Sequence, residues 1–130
     1  MTDGDAELLE AFLTESESNM GQFCRWLDRP LATEEALADV FRWMHTLAGS
    51  CGFFGFSNLR TVARAAENCL GILRDRRAVL DPALSAMLRE AVDDIRASLR
   101  AIAASGTEPR AASPVRDRLD AWKRCSGAPS

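Results

Sequence analysis

The chain has 130 residues and a formal net charge of -3 at neutral pH, with 47% hydrophobic residues, 27% charged residues and a single histidine. That length supports one core but not comfortably two, and the acid excess argues against nucleic acid or anionic lipid as partners. No run of 18 apolar residues is present, and Met1 to Asp5 carries acid where a secretory leader would carry Lys or Arg, so a cytoplasmic protein without membrane contact is expected.

From Asp5 to about residue 28, Leu8, Leu9, Phe12, Leu13, Met20, Phe23 and Leu27 recur at spacings of three and four, which predicts an amphipathic helix. Asp28-Arg29-Pro30 breaks it. Thr33 is placed to cap a second helix over 33–52, with Glu34 and Glu35 complementing the positive end of the helix dipole. Its stripe is Leu37, Val40, Met44, Leu47 and Cys51, and the stretch Gly49 to Gly55 is expected to end it. A third helix over 57–78 carries Leu59, Val62, Ala63, Ala66, Leu70 and Leu73 on one side.

Asp81-Pro82 starts a fourth helix over 81–103, because Asp caps and Pro tolerates the first helical position; its stripe runs from Leu84 to Ile102. Four such helices with short connections bury their stripes best as an all-α, antiparallel up-and-down four-helix bundle, here over residues 1–104. Residues 105–130 read as a linker with a short fifth helix at 114–124, whose Val115, Leu119 and Trp122 can lean on the bundle. Cys24, Cys51, Cys69 and Cys125 are far apart with no C-x-x-C pair, so they read as packing residues and no metal site is expected. Trp26, Trp43 and Trp122 read the same way.

His45 is the residue whose setting is unusual. At roughly 100° per residue it stands about 130° from the centre of its helix's apolar stripe, on the solvent side. Its neighbours there are Ala38, Phe41, Arg42, Ala48, Gly49 and Gly52. A solvated helix face normally carries Glu, Lys and Gln, and a helical glycine costs about 1 kcal/mol relative to alanine. Small residues around an imidazole therefore suggest a surface that a partner approaches closely, with Phe41 adding an apolar contact. A lone surface histidine is as readily idle, and the offsets alone leave that open.

The run His45-Thr46-Leu47-Ala48-Gly49-Ser50-Cys51-Gly52-Phe53-Phe54-Gly55-Phe56 resembles the phosphorylation-site segment of histidine phosphotransfer (HPt) domains. It is most similar to the N-terminal phosphotransfer domain of CheA-type chemotaxis kinases, whose pattern is roughly H-T/S-L/I-K-G-x-x-G-x-x-G-F. That family places a glutamate further along, on the next helix, and Glu67 occupies the place. The resemblance covers the four helices, about residues 5–103. It implies that His45 accepts a phosphoryl group from a histidine-kinase ATP site and passes it to an aspartate of a CheY-like response-regulator receiver. It also implies that Glu67 binds Nδ1–H and leaves Nε2 to attack phosphorus.

Two positions depart from the pattern: Ala48 replaces the family's lysine, and Arg64 stands where a histidine is often found. Arg42 or Arg64 is a candidate for the missing charge. Phe41, Arg42, Ala48, Gly49, Gly52 and Arg64 are the residues expected to face a partner. ATP and magnesium are expected on partner domains and no cofactor in this chain, since Gly49 to Gly55 lacks G-K-S/T and follows a helix instead of a strand.

Some alternatives stay open. The chain is either a phosphocarrier in its own right or a piece of an ATP-dependent sensor kinase, and a monomer is expected. A bundle that keeps the docking face without carrying phosphate is the competing reading, supported by Ala48. Glu67 also reads as a surface acid paired with Arg60 or Arg64 on its own helix. Arg60, Arg64 and Arg74 read either as a solvated face or as contacts for an acidic receiver surface.

Overall fold

The apolar stripes become five helices in the computed structural model, which describes residues 3–76, 80–110 and 113–126: α1 (Asp3–Asp28), α2 (Glu34–Phe54), α3 (Ser57–Arg76), α4 (Pro82–Ser105) and α5 (Val115–Cys125). Residues 77–78, expected in the third helix, and 111–112 and 127–130 of the expected linker lie outside the described residues.

The helix ends follow from capping chemistry. Thr33 is extended and its Oγ1 accepts the Ala36 amide at 3.1 Å, while the Asp81 carboxylate accepts the Leu84 amide at 2.7 Å with Pro82 in the first turn. Gly55 ends α2 at φ 78°, a left-handed conformation that glycine adopts without a side-chain clash, and the Phe56 amide reaches back to the Cys51 carbonyl at 2.9 Å. The helix therefore runs through Gly49 and Gly52 and stops two residues beyond the expected end. Isolated glycines cost only about 1 kcal/mol each, and Phe54 packs its ring 5.2 Å from that of Phe12 on α1.

The first-turn amides of α3 are satisfied from far along the chain. Glu108, in the loop after α4, accepts the Asn58 and Leu59 amides at 3.0 and 2.9 Å, and the Asn58 side chain donates to the Pro109 and Arg110 carbonyls. A carboxylate there closes two amides that have no partner within the helix and complements its dipole.

The bundle is a closed ring: α1 packs on α2 and α4, and α3 packs on α2 and α4, with the other two pairs diagonal. Phe23, Met20, Met44, Leu70, Leu88 and Ile95 are fully buried between them. Each such side chain contributes about 1.5–3 kcal/mol relative to remaining in water. One stripe residue departs from expectation. Leu8 is 52% exposed, because α1 overhangs its neighbours at its start, where residues 3–8 are all exposed and Phe12 is the first buried side chain.

The fifth helix packs across α3 and α4. Val115 and Leu119 are fully buried, the Cys69 thiol donates to the Leu119 carbonyl, and the Trp122 indole donates to Asp81 at 3.1 Å. Cys51 and Cys69 are buried, Cys24 is half-buried and Cys125 is exposed. No helix among the described residues is long and apolar enough to cross a membrane.

Candidate functional site

Helical periodicity turns His45 outward on α2 while α3, packed alongside, turns Glu67 inward toward the same seam. The imidazole is 67% exposed and the carboxylate 11%, and Nδ1 of His45 lies 3.0 Å from Oε2 of Glu67. A carboxylate only accepts, so this contact places the proton on Nδ1, which donates it, and leaves the lone pair of Nε2 directed away from Glu67. A second contact restrains the ring: Phe41, one turn earlier, is stacked on it at 5.8 Å between centroids and 14° between planes.

Phe41 is in turn held from α3. The Arg74 guanidinium carbon lies 4.0 Å from the centre of the Phe41 ring, a cation–π arrangement, and Gly71 leaves the ring room against α3. A methyl group at Gly71 would stand 3.5 Å from the ring edge. The expected apolar contact for a visitor is thus also the packing that orients the imidazole. In the sequence Arg74 reads only as one of a series of helical arginines and nothing singles out Gly71, because their shared neighbour Phe41 lies on another helix.

The remaining expected residues divide. Gly49 is open, with nothing within 4 Å of where a side chain would begin. Gly52 is exposed, but Arg60 of α3 lies beside it, with guanidinium atoms 3.6 and 3.7 Å from an added methyl position. Ala48 was expected on the partner face and is instead 1% exposed. At roughly 100° per residue it lies only about 40° from Met44, so three residues beyond His45 the helix has already turned back to the core. Its methyl group offers nothing to a visitor.

The two candidates for the missing charge also separate. Arg42 pairs with Asp39 on its own helix at 3.0 Å. Arg64 Nε stands 3.8 Å from Oε1 of Glu67, the oxygen that has no hydrogen-bond partner among the described residues. Glu67 therefore serves both relations that its position allowed: one oxygen holds His45 and the other faces Arg64. Among the described residues no cluster of three or more His, Cys, Asp or Glu is arranged to hold a metal ion.

A family model described as the Hpt domain matches residues 7–98. The chain is 31% identical over 107 residues to the chemotaxis protein CheA of Halobacterium salinarum, a match covering 80% of this chain and 16% of that protein. It is 27% identical over 127 residues to CheA of Treponema pallidum, covering 95% of this chain and again 16% of the relative. The chain thus spans about a sixth of the length of these relatives. Among solved structures, the phosphorylated P1 domain of CheA3 in complex with CheY6 from R. sphaeroides superposes with a TM-score of 0.82 at 21% identity, covering 92% of this chain and 97% of that one. That likeness establishes a shared fold.

Proposed function

The chain belongs to the Hpt domain family, and on that premise we propose that it is a phosphoryl relay module: His45 takes a phosphoryl group from a histidine-kinase ATP site and gives it to an aspartate of a CheY-like receiver. The observation that carries this reading is the exposed imidazole whose Nδ1 is held 3.0 Å from the Glu67 carboxylate. Relatives named CheA, and a similar phosphorylated domain solved with CheY6, support the same direction of transfer.

In the forward step the Nε2 lone pair forms a bond to phosphorus as the bond to the ADP oxygen breaks. The ring becomes cationic, keeps its Nδ1 proton, and is stabilised by Glu67. In the return step an aspartate oxygen attacks phosphorus, the N–P bond breaks, and the ring is neutral again with no net proton change. Positioning and charge neutralisation dominate such transfers, so ATP and magnesium belong to the donor and acceptor domains in this scheme. We place the module in the cytoplasm, as a monomer, either attached to a kinase or serving one.

Ala48 favours a second reading, a receiver-binding bundle that carries no phosphate, because a buried methyl group stands at the lysine position. Incubation with a histidine-kinase catalytic domain and radiolabelled ATP separates the two. Relay function predicts acid-labile, base-stable label that His45→Gln abolishes and that a receiver domain removes. A folded chain that binds a receiver yet takes no label from any competent kinase establishes the second reading.

A further inference from the structure

Resting on the relay reading, we infer that the receiver-docking surface continues from α2 across α3 to α5, where an arginine-lined groove takes a carboxylate-bearing segment beside the receiver's phosphoacceptor pocket. The groove, about 360 Å³, runs between α3 and α5 and is lined by Arg60, Arg64 and Arg116 against a single acid, Asp120. Two of its arginines border the His45 site. Arg64 stands beside Glu67, and Arg60 lies over Gly52, two turns along α2 from the histidine and on the same side.

Charge identifies the occupant. Arg60 has no acid within ion-pair distance among the described residues, and Arg116 holds only its exposed neighbour Asp117 at 3.2 Å, a surface pair that a better-placed carboxylate displaces at little cost. Planar guanidinium groups suit bidentate carboxylate recognition. The wider distribution agrees: α1 carries seven acids and one base, whereas α3 and α5 each carry four bases against two acids. Since α1 packs on α2 and α4 and not on α3 or α5, the acidic and basic helices lie on different sides of the bundle. A chain of net charge -3 thus presents its positive side beside His45. A receiver pocket must gather carboxylates around its aspartate and magnesium, so this polarity steers the correct faces together.

The test uses the full chain and a panel of receiver domains, with affinity read by titration calorimetry and phosphoryl transfer read separately. Arg60→Glu and Arg116→Glu are each expected to weaken receiver binding roughly five- to tenfold at low ionic strength and less than twofold in 0.5 M salt. Arg116→Gln should give a smaller loss in the same direction, which guards against a charge-reversed variant that folds poorly. Arg118→Glu, whose wild-type side chain pairs with Glu90 of α4, should bind as wild type does. Equal affinity of wild type and Arg116→Glu at low salt overturns the inference, as does an equal loss in Arg118→Glu. Failure of the relay reading looks different: the wild-type chain would then transfer no phosphoryl group to any receiver that it binds.

Discussion

Replacing Glu67 isolates what its carboxylate does for His45. In Glu67→Ala the ring loses the 3.0 Å acceptor on Nδ1, so both tautomers become accessible and the cationic phosphorylated ring loses its counter-charge. A hydrogen bond involving a charged group contributes about 1.5–3 kcal/mol, and solvent screening of an imidazole that is two-thirds exposed reduces this to about 1–2 kcal/mol. At about 1.4 kcal/mol per factor of ten, phosphorylation should slow roughly 5- to 30-fold. Glu67→Gln, which keeps an acceptor but not the charge, should fall between. The buried Oε1 has no hydrogen-bond partner among the described residues and faces Arg64 only at 3.8 Å, so removing the carboxylate relieves a desolvated group and stability should change by less than about 1 kcal/mol. Initial rates of label uptake at saturating donor kinase, alongside urea melts, measure both. Rates indistinguishable among wild type, Glu67→Gln and Glu67→Ala, with all three folded, would refute the coupling of Glu67 to the chemistry.

Three further outcomes follow from the fold. Asp81→Ala removes both the α4 cap and the acceptor of the Trp122 indole, and should cost about 2 kcal/mol by urea denaturation at pH 7. The Leu84 amide, and secondly the Trp122 indole, hold the Asp81 carboxyl below its ordinary value of 3.8. A lowered folded-state pKa means the stabilisation is complete above 3.8 and is lost as pH falls through the lower folded value, so the gap between wild type and Asp81→Ala should shrink only in strong acid; a gap that shrinks between pH 7 and 5 contradicts this. Burial pushes the thiols of Cys51 and Cys69 up to about 12, so iodoacetamide at pH 8 should label Cys125 first, Cys24 slowly, and the buried pair only in denaturant, as read by mass spectrometry. Gly49→Ala adds a methyl group to open space in a helix and should raise stability by about 0.5–1 kcal/mol; a loss would show that the position is not the open one described.

The four main helices were legible because each carries a stripe at spacings of three and four and three of the breaks carry Pro or Gly. The outward direction of His45 followed from the same arithmetic. That arithmetic also misplaced Ala48, because three residues from an exposed position near the edge of a face lead back toward the core. Glu67 is different: composition and periodicity place it on a helix, but only the resemblance connected it to His45, since two residues on different helices share no local pattern. Contacts set by tertiary packing left still less trace. The Glu108 carboxylate over the α3 amides and the Arg60 guanidinium beside Gly52 join segments that share no local pattern, whereas the stripe of Val115, Leu119 and Trp122 did signal that the fifth helix leans on the bundle. Leu8 shows the converse, a residue in phase with its stripe but placed where no other helix reaches it.

Long-range proton–nitrogen NMR of the imidazole, recorded before and after phosphorylation by a donor kinase, tests the relay geometry most directly. The geometry predicts an Nδ1–H tautomer in the resting chain and phosphorus bonded to Nε2 of His45 afterwards, with the Nδ1 proton retained toward Glu67. Phosphorus on Nδ1, or phosphorylation at any residue other than His45, would contradict it.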